Sequence, residues 1–132
     1  MGISENELRS RLHSGYEAFN RGDYEAATEW VHPDVVFISP GAITELRGAE
    51  AVRAWMEPDA FESQVSEPGE IEIAGNRALF HQRTRARGAG SGIEMEVGSW
   101  AVWTFDDEGR VTRMETYFDH DEEAARRAFR DA

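Results

Sequence analysis

The chain contains no cysteine and no lysine. Without cysteine there can be no disulfide, no thiolate nucleophile and no thiolate-held metal. All 14 basic residues are arginine, set against 26 acidic ones for a formal net charge of -12. That balance argues against nucleic acid and anionic membrane as partners, because both reward a cationic protein with counterion release. Long apolar runs are absent too: none approaches the roughly 20 residues of a membrane helix. The opening MGISENELRS lacks a basic segment followed by an apolar one, so no signal peptide is expected and a cytoplasmic location is.

What is present fits a globular protein. Of the 132 residues 40% are hydrophobic and 11% aromatic, a length and content suited to one domain. Such a chain buries roughly two-thirds of its unfolded surface, enough for a core with a cavity.

The first half reads as helical. Ser4 and Glu7 form a capping box for a helix over 4–21, with Leu8, Leu12, Tyr16 and Phe19 at helical spacing and Gly22 as its stop. Asp23 heads a second helix, YEAATEWV, which His32-Pro33-Asp34 interrupts, leaving His32 as a partner for that helix's C-terminal dipole. VVFIS (35–39) reads as a strand and AEAVRAWM (49–56) as a third helix, while 57–69, with Pro58 and Pro68, reads as irregular. From Ile71 onward the pattern is β: EIEIA, RALFHQRTRAR, IEMEVGSWAVWTF and RVTRMETYF, separated by turn residues, before a terminal helix DEEAARRAFRDA. Helices followed by a meander predict an α+β domain with helices on one face of a curved sheet.

Over 97–105 both sides of the strand are apolar. One side can pack on the helices. The other needs cover, and a second copy of the sheet is the expected cover, giving a homodimer through the outer sheet face.

The segment 79-LFHQRTRARG-88 alternates as well. Leu79, His81, Arg83 and Arg85 share one side; Phe80, Gln82, Thr84 and Ala86 share the other. A charged alternation by itself reads as a solvated face, yet the same cations could line a pocket.

YEAFNRGDYEAATEWVHPDVVFISPG, LRGAEAVRAWM and FDDEGRVTRMETYFD resemble the SnoaL-like branch of the nuclear transport factor 2-like superfamily. The A-x-N-x-G-D, H-P-D and R-G elements stand in the family's order, and the resemblance spans roughly residues 5–120 of the chain. It implies a single SnoaL-like domain over 1–132, a cone-shaped antiparallel or mixed sheet wrapped around N-terminal helices, an enclosed pocket, and a dimer. It does not imply one reaction. The positions of the ketosteroid isomerase base and oxyanion groups fall on Ser39, Gly15 and Ala101, which removes that mechanism. The Asp-Arg-Asp set of the epoxide hydrolases is also missing.

The resemblance further implies strand phases. It puts Phe37, Ser39, His81, Arg83, Val97, Ser99, Ala101, Trp103, Met114, Thr116 and Phe118 toward the cavity, closed by Trp30, Val52, Trp55 and Met56. His81 and Arg83 are then the candidate catalytic pair, one moving a proton and the other holding a carboxylate or enolate. Trp30, Phe37, Ser39, Trp55, Met56, Ser99, Trp103, Met114, Thr116 and Phe118 are the candidate substrate-binding residues. Tyr16 reads as core. Asp119-His120-Asp121 reads as a turn, since neighbouring strand residues point to opposite faces, and no metal or other cofactor is expected. The expected function is a cofactor-independent cyclase, isomerase or lyase acting on a small apolar carbonyl compound, or else a non-catalytic ligand-binding dimer with the same pocket.

Overall fold

A computed structural model describes residues 3–56 and 61–130, without the side chains of 61–63. Helix α1 (Glu5–Asn20) starts where the Ser4 side chain accepts a hydrogen bond from the Glu7 amide, and Gly22 ends it at a φ of 80° that favours glycine. Asp23 caps α2, but α2 is only Tyr24–Ala27, half the length its sequence suggests. The chain is already extended at Val31, and β1 runs Val31–Ile38. His32-Pro33-Asp34 therefore lies inside a strand, at a register shift between Val31 and Val36. There a proline's missing N–H is tolerated. His32 is not a helix-dipole partner: its Nδ1 accepts from the Asp34 amide at 2.9 Å.

A short strand β2 (Glu45–Arg47) leads into α3 (Ala49–Met56). The segment that reads as irregular from sequence divides: residues 57–60 lie outside the described residues, while Phe61–Pro68 is strand β3. Then follow β4 (Glu72–Ala74), the long hairpin of β5 (Arg77–Gly88) and β6 (Glu94–Phe105), β7 (Val111–Phe118) and α4 (Glu122–Arg130). The strands form one curved, open sheet in the order β2-β1-β7-β6-β5-β3, with β4 also on β5. The sheet is mixed, because β1 runs parallel to β7 and every other pair is antiparallel.

The main core lies between α1, α3 and the concave face: Leu8, Leu12, Val35, Val52, Phe80, Ala101, Phe105 and Met114 are all buried. Asn20, the N of A-x-N-x-G-D, ties α1 to β3. Its Nδ2 donates to the Ser66 carbonyl and its Oδ1 accepts from the Ser66 amide, both at 2.8 Å.

Helices are not confined to one face. Helix α4 lies on the convex side, where Ala125 packs with Leu79 and Val102, joined by Trp100, Tyr117, Ala128 and Phe129. The Arg77 guanidinium donates to the Ala128 carbonyl at 2.7 Å and holds α4 there. The apolar outer side of β6, which argues from sequence for a second copy, is thus covered by the chain's own last helix. Among the described residues no helix is long and apolar enough to cross a membrane.

Candidate ligand-binding cavity

Between α1, α3 and the concave sheet is a cavity of about 330 Å³, within the range of small-molecule sites. Its walls are mainly aromatic and apolar. Helix α1 contributes Leu12, Tyr16 and Phe19; α3 contributes Val52, Trp55 and Met56. From the sheet come Phe37, Trp103, Phe105 and Met114. Tyr16 stacks on Trp103 with ring centroids 5.9 Å apart, and Phe37 lies 4.9 Å from Trp55. Trp30 stands at the rim under the Arg11 guanidinium, 3.8 Å above its ring. Arg11 is the sole charged lining side chain among the described residues. It is already engaged, donating to the Glu108 carbonyl at 2.8 Å and pairing with Glu7.

Apart from Arg11, the polar lining among the described residues is neutral. Ser39, Gln64, Ser66, Gln82, Thr84, Ser99 and Thr116 reach the cavity. Three groups form a chain: the Tyr16 hydroxyl donates to Gln82 Oε1, and Gln82 Nε2 donates to Ser99 Oγ at 3.0 Å. Ser66 and Thr84 hydroxyls pair at 3.0 Å, and Ser39 Oγ accepts from the Thr44 amide at 2.8 Å. Burial drives the Tyr16 pKa far upward, so its phenol stays protonated and acts as a donor rather than a base.

Of the residues expected at the site, Trp30, Phe37, Ser39, Trp55, Met56, Ser99, Trp103, Met114 and Thr116 line this cavity. Phe118 shares their phase but lies past the rim, exposed, with its ring against His120. His81 and Arg83 are not there, and this corrects the expected catalytic pair. The register is decisive. Phe80 faces Ala101, Gln82 faces Ser99 and Thr84 faces Val97 across the β5–β6 ladder. Residues directly opposite in an antiparallel pair share a face, so the cavity side of β5 is Phe80-Gln82-Thr84. His81 lies on the convex side, its Nε2 2.7 Å from Asp119 Oδ1 and its ring beside Trp100. Arg83 pairs there with Glu96 at 3.0 Å, both side chains at least half exposed.

The profile of the SnoaL-like domain family matches residues 13–114, most of the chain. The chain belongs to the SnoaL-like domain family. No curated protein matches it. Solved structures share its fold. A nuclear transport factor 2-like protein of unknown function from Burkholderia pseudomallei is 23% identical, with a TM-score of 0.74, covering 98% of this chain and 100% of that one. A putative polyketide cyclase from Xanthomonas campestris pv. campestris is 20% identical, with a TM-score of 0.69 over 91% and 96% of the two chains. SalBIII, an epoxide hydrolase/cyclase-like enzyme with a role in pyran ring formation in the polyether salinomycin, is 16% identical, with a TM-score of 0.76 over 86% and 92%. At these identities the likeness shows the fold alone.

Tyr16, Gln64, Ser66, Gln82 and Thr84 are the SnoaL-like cavity's neutral polar groups that sequence reading places elsewhere or passes over. A signal for Gln82 and Thr84 existed. Between two sides of a strand, the uncharged one is the cheaper to turn inward, because a buried guanidinium needs a partner that no neighbouring strand offered in phase.

Proposed function

We propose that this SnoaL-like chain binds a small, neutral, largely apolar carbonyl compound in the cavity and acts on it as a cyclase or isomerase, without a cofactor. The observation that carries the reading is the lining itself: tryptophan, phenylalanine and methionine walls with a few converging neutral hydrogen-bonding groups. The cyclase-type neighbours of the same fold support the reaction class. With no carboxylate or imidazole among the described lining residues, the chemistry available to the protein is limited. It can fold a flexible substrate so that its own groups meet, and it can polarise one carbonyl by hydrogen bonding. His81 and Arg83 take no part in this reading.

The same absence favours a second reading, a ligand-binding module without turnover. A homodimer remains a proposal under either. With α4 seated over Leu79 and Val102, a second copy would meet the β3–β5–β6 end of the convex face, where Arg83–Glu96, Arg85–Glu67 and Arg87–Glu94 pairs lie. Sedimentation velocity reads this directly.

Thermal unfolding against matched neutral carbonyl compounds and their carboxylate analogues tests the binding claim. Neutral compounds should stabilise the protein; a ligand at 100 times its Kd adds about 2.7 kcal/mol. Val97→Trp, at a lining residue 60% exposed at the rim, should abolish the shift without lowering the unliganded Tm. Stabilisation by carboxylates alone, or shifts that survive Val97→Trp, would refute the proposal. Turnover of a stabilising compound separates enzyme from binder.

A further inference from the structure

We infer that Tyr16, Gln82 and Ser99 form a one-way hydrogen-bond chain that makes Ser99 a donor to the ligand, so that the site selects molecules carrying an acceptor oxygen. This rests on the cavity being the binding site, as proposed above, and adds which atom of the ligand is read and by which residue.

The direction is that of the Gln82 amide, whose Oε1 faces Tyr16 and whose Nε2 faces Ser99. Tyr16, kept neutral by burial, has one hydrogen and gives it to Gln82 Oε1. The amide orientation this fixes turns Gln82 Nε2 toward Ser99, where it donates to Oγ at 3.0 Å. Ser99 Oγ therefore accepts, and its own hydrogen has no partner among the described residues. Ser99 is buried, at 8% exposure, and lines the cavity, so a free hydroxyl hydrogen there is costly unless a ligand or water takes it. Each bond in such a chain polarises the next, which makes the terminal hydroxyl a stronger donor than an isolated serine. A carbonyl or ether oxygen satisfies it. A ligand hydroxyl or amine presenting a hydrogen at the same place does so less well. Ser99 is a specificity-determining residue in this account, and Gln82 and Tyr16 are positioning residues that set its polarity.

The test uses 2-acetylnaphthalene and its near-isostere without the oxygen, 2-isopropenylnaphthalene, titrated against intrinsic tryptophan fluorescence. Trp55 and Trp103 line the cavity and report occupancy. The wild type should bind the ketone about 5- to 10-fold more tightly than the hydrocarbon. Ser99→Ala should erase that preference by weakening the ketone and leaving the hydrocarbon unchanged. Gln82→Glu is the sharper variant. A carboxylate at that position accepts from Tyr16 and Ser99 alike, consumes the Ser99 hydrogen, and leaves Oγ as an acceptor. The preference should then turn toward the alcohol 1-(2-naphthyl)ethanol, an exchange of specificity that a merely structural role for Gln82 would not produce. Equal binding of ketone and hydrocarbon by the wild type would overturn the inference and leave the pocket standing. So would a ketone preference that survives Ser99→Ala. If neither probe binds the wild type, the pocket reading fails and takes this inference with it.

Discussion

Gln82 and Arg83 are neighbours in sequence with opposite fates, and replacing each by leucine separates the two possible phases of β5. Gln82→Leu keeps the volume and removes both bonds of the chain. Ser99 can turn toward the cavity, but the part-buried Tyr16 hydroxyl, set among aromatic rings, loses its partner. Such an orphaned donor costs about 1–3 kcal/mol. Arg83→Leu removes an ion pair with Glu96 whose side chains are 65% and 50% exposed; pairs of that kind contribute about 0–1 kcal/mol. At this chain length 1 kcal/mol moves Tm by roughly 4 °C. Gln82→Leu should therefore lower Tm by roughly 4–12 °C and Arg83→Leu by less than about 4 °C. Adding Tyr16→Phe to Gln82→Leu should recover stability, since replacing both partners leaves nothing unsatisfied. Differential scanning calorimetry of the wild type and the three variants reads all of this. A larger loss in Arg83→Leu than in Gln82→Leu, with no recovery in the double variant, would mean that β5 is turned over and that the cations face the cavity.

Two further outcomes follow from the convex face and the β6–β7 turn. Gly98 makes room for the His81–Asp119 pair: a Cβ there would stand 3.0 Å from the His81 ring and 3.2 Å from Asp119 Oδ1. Gly98→Ala should part the two side chains at a cost of about 1 kcal/mol while leaving cavity binding unchanged; a loss of ketone affinity without unfolding would place His81 in the site after all. Asp106 resists protonation in the folded state. Burial would raise its pKa, but hydrogen bonds from the Arg110 and Glu108 amides and the Arg110 guanidinium lower it below the ordinary carboxylate value. A lowered folded pKa contributes stability at neutral pH that is lost on acidification. The margin of the wild type over Asp106→Asn should thus be constant above about pH 5 and shrink below about pH 4. A margin that stays flat into acid in denaturant titrations would contradict this.

The fold was legible where local chemistry decides it. The Ser4 cap, the Gly22 stop, the α3 stripe and the β5–β6–β7 meander all stand where their residues point. What sequence hid was set by distant partners. FESQVSEP carries little strand signal of its own; it is a strand because the free edge of β5 pairs with it, with Pro68 at its last position. His32-Pro33-Asp34 resembles a helix stop but is carried into β1 by the parallel register with β7. The apolar outer side of β6 was rightly read as needing cover, and the covering element was already present as the terminal helix.

At the site, most of the walls were legible and the polar centre was not. The positions on β1, β6 and β7 came through in phase. On β5 the run Ala78-Leu79-Phe80 is buried on both sides, so the apolar pattern there cannot set the phase. The charges beyond it can, and they favour Gln82 and Thr84 inward. A register shifted by one residue reverses every side chain of a strand, which is how His81 and Arg83 came to stand for the site.

The central claim is that the cavity bounded by Tyr16, Gln82 and Ser99 is where this SnoaL-like chain meets its ligand. A crystal structure of the protein with 2-acetylnaphthalene tests it most directly. The account predicts the naphthalene ring between Trp55 and Trp103, with the carbonyl oxygen about 3 Å from Ser99 Oγ. A ketone bound instead on the convex face, beside His81 and Arg83, would contradict it.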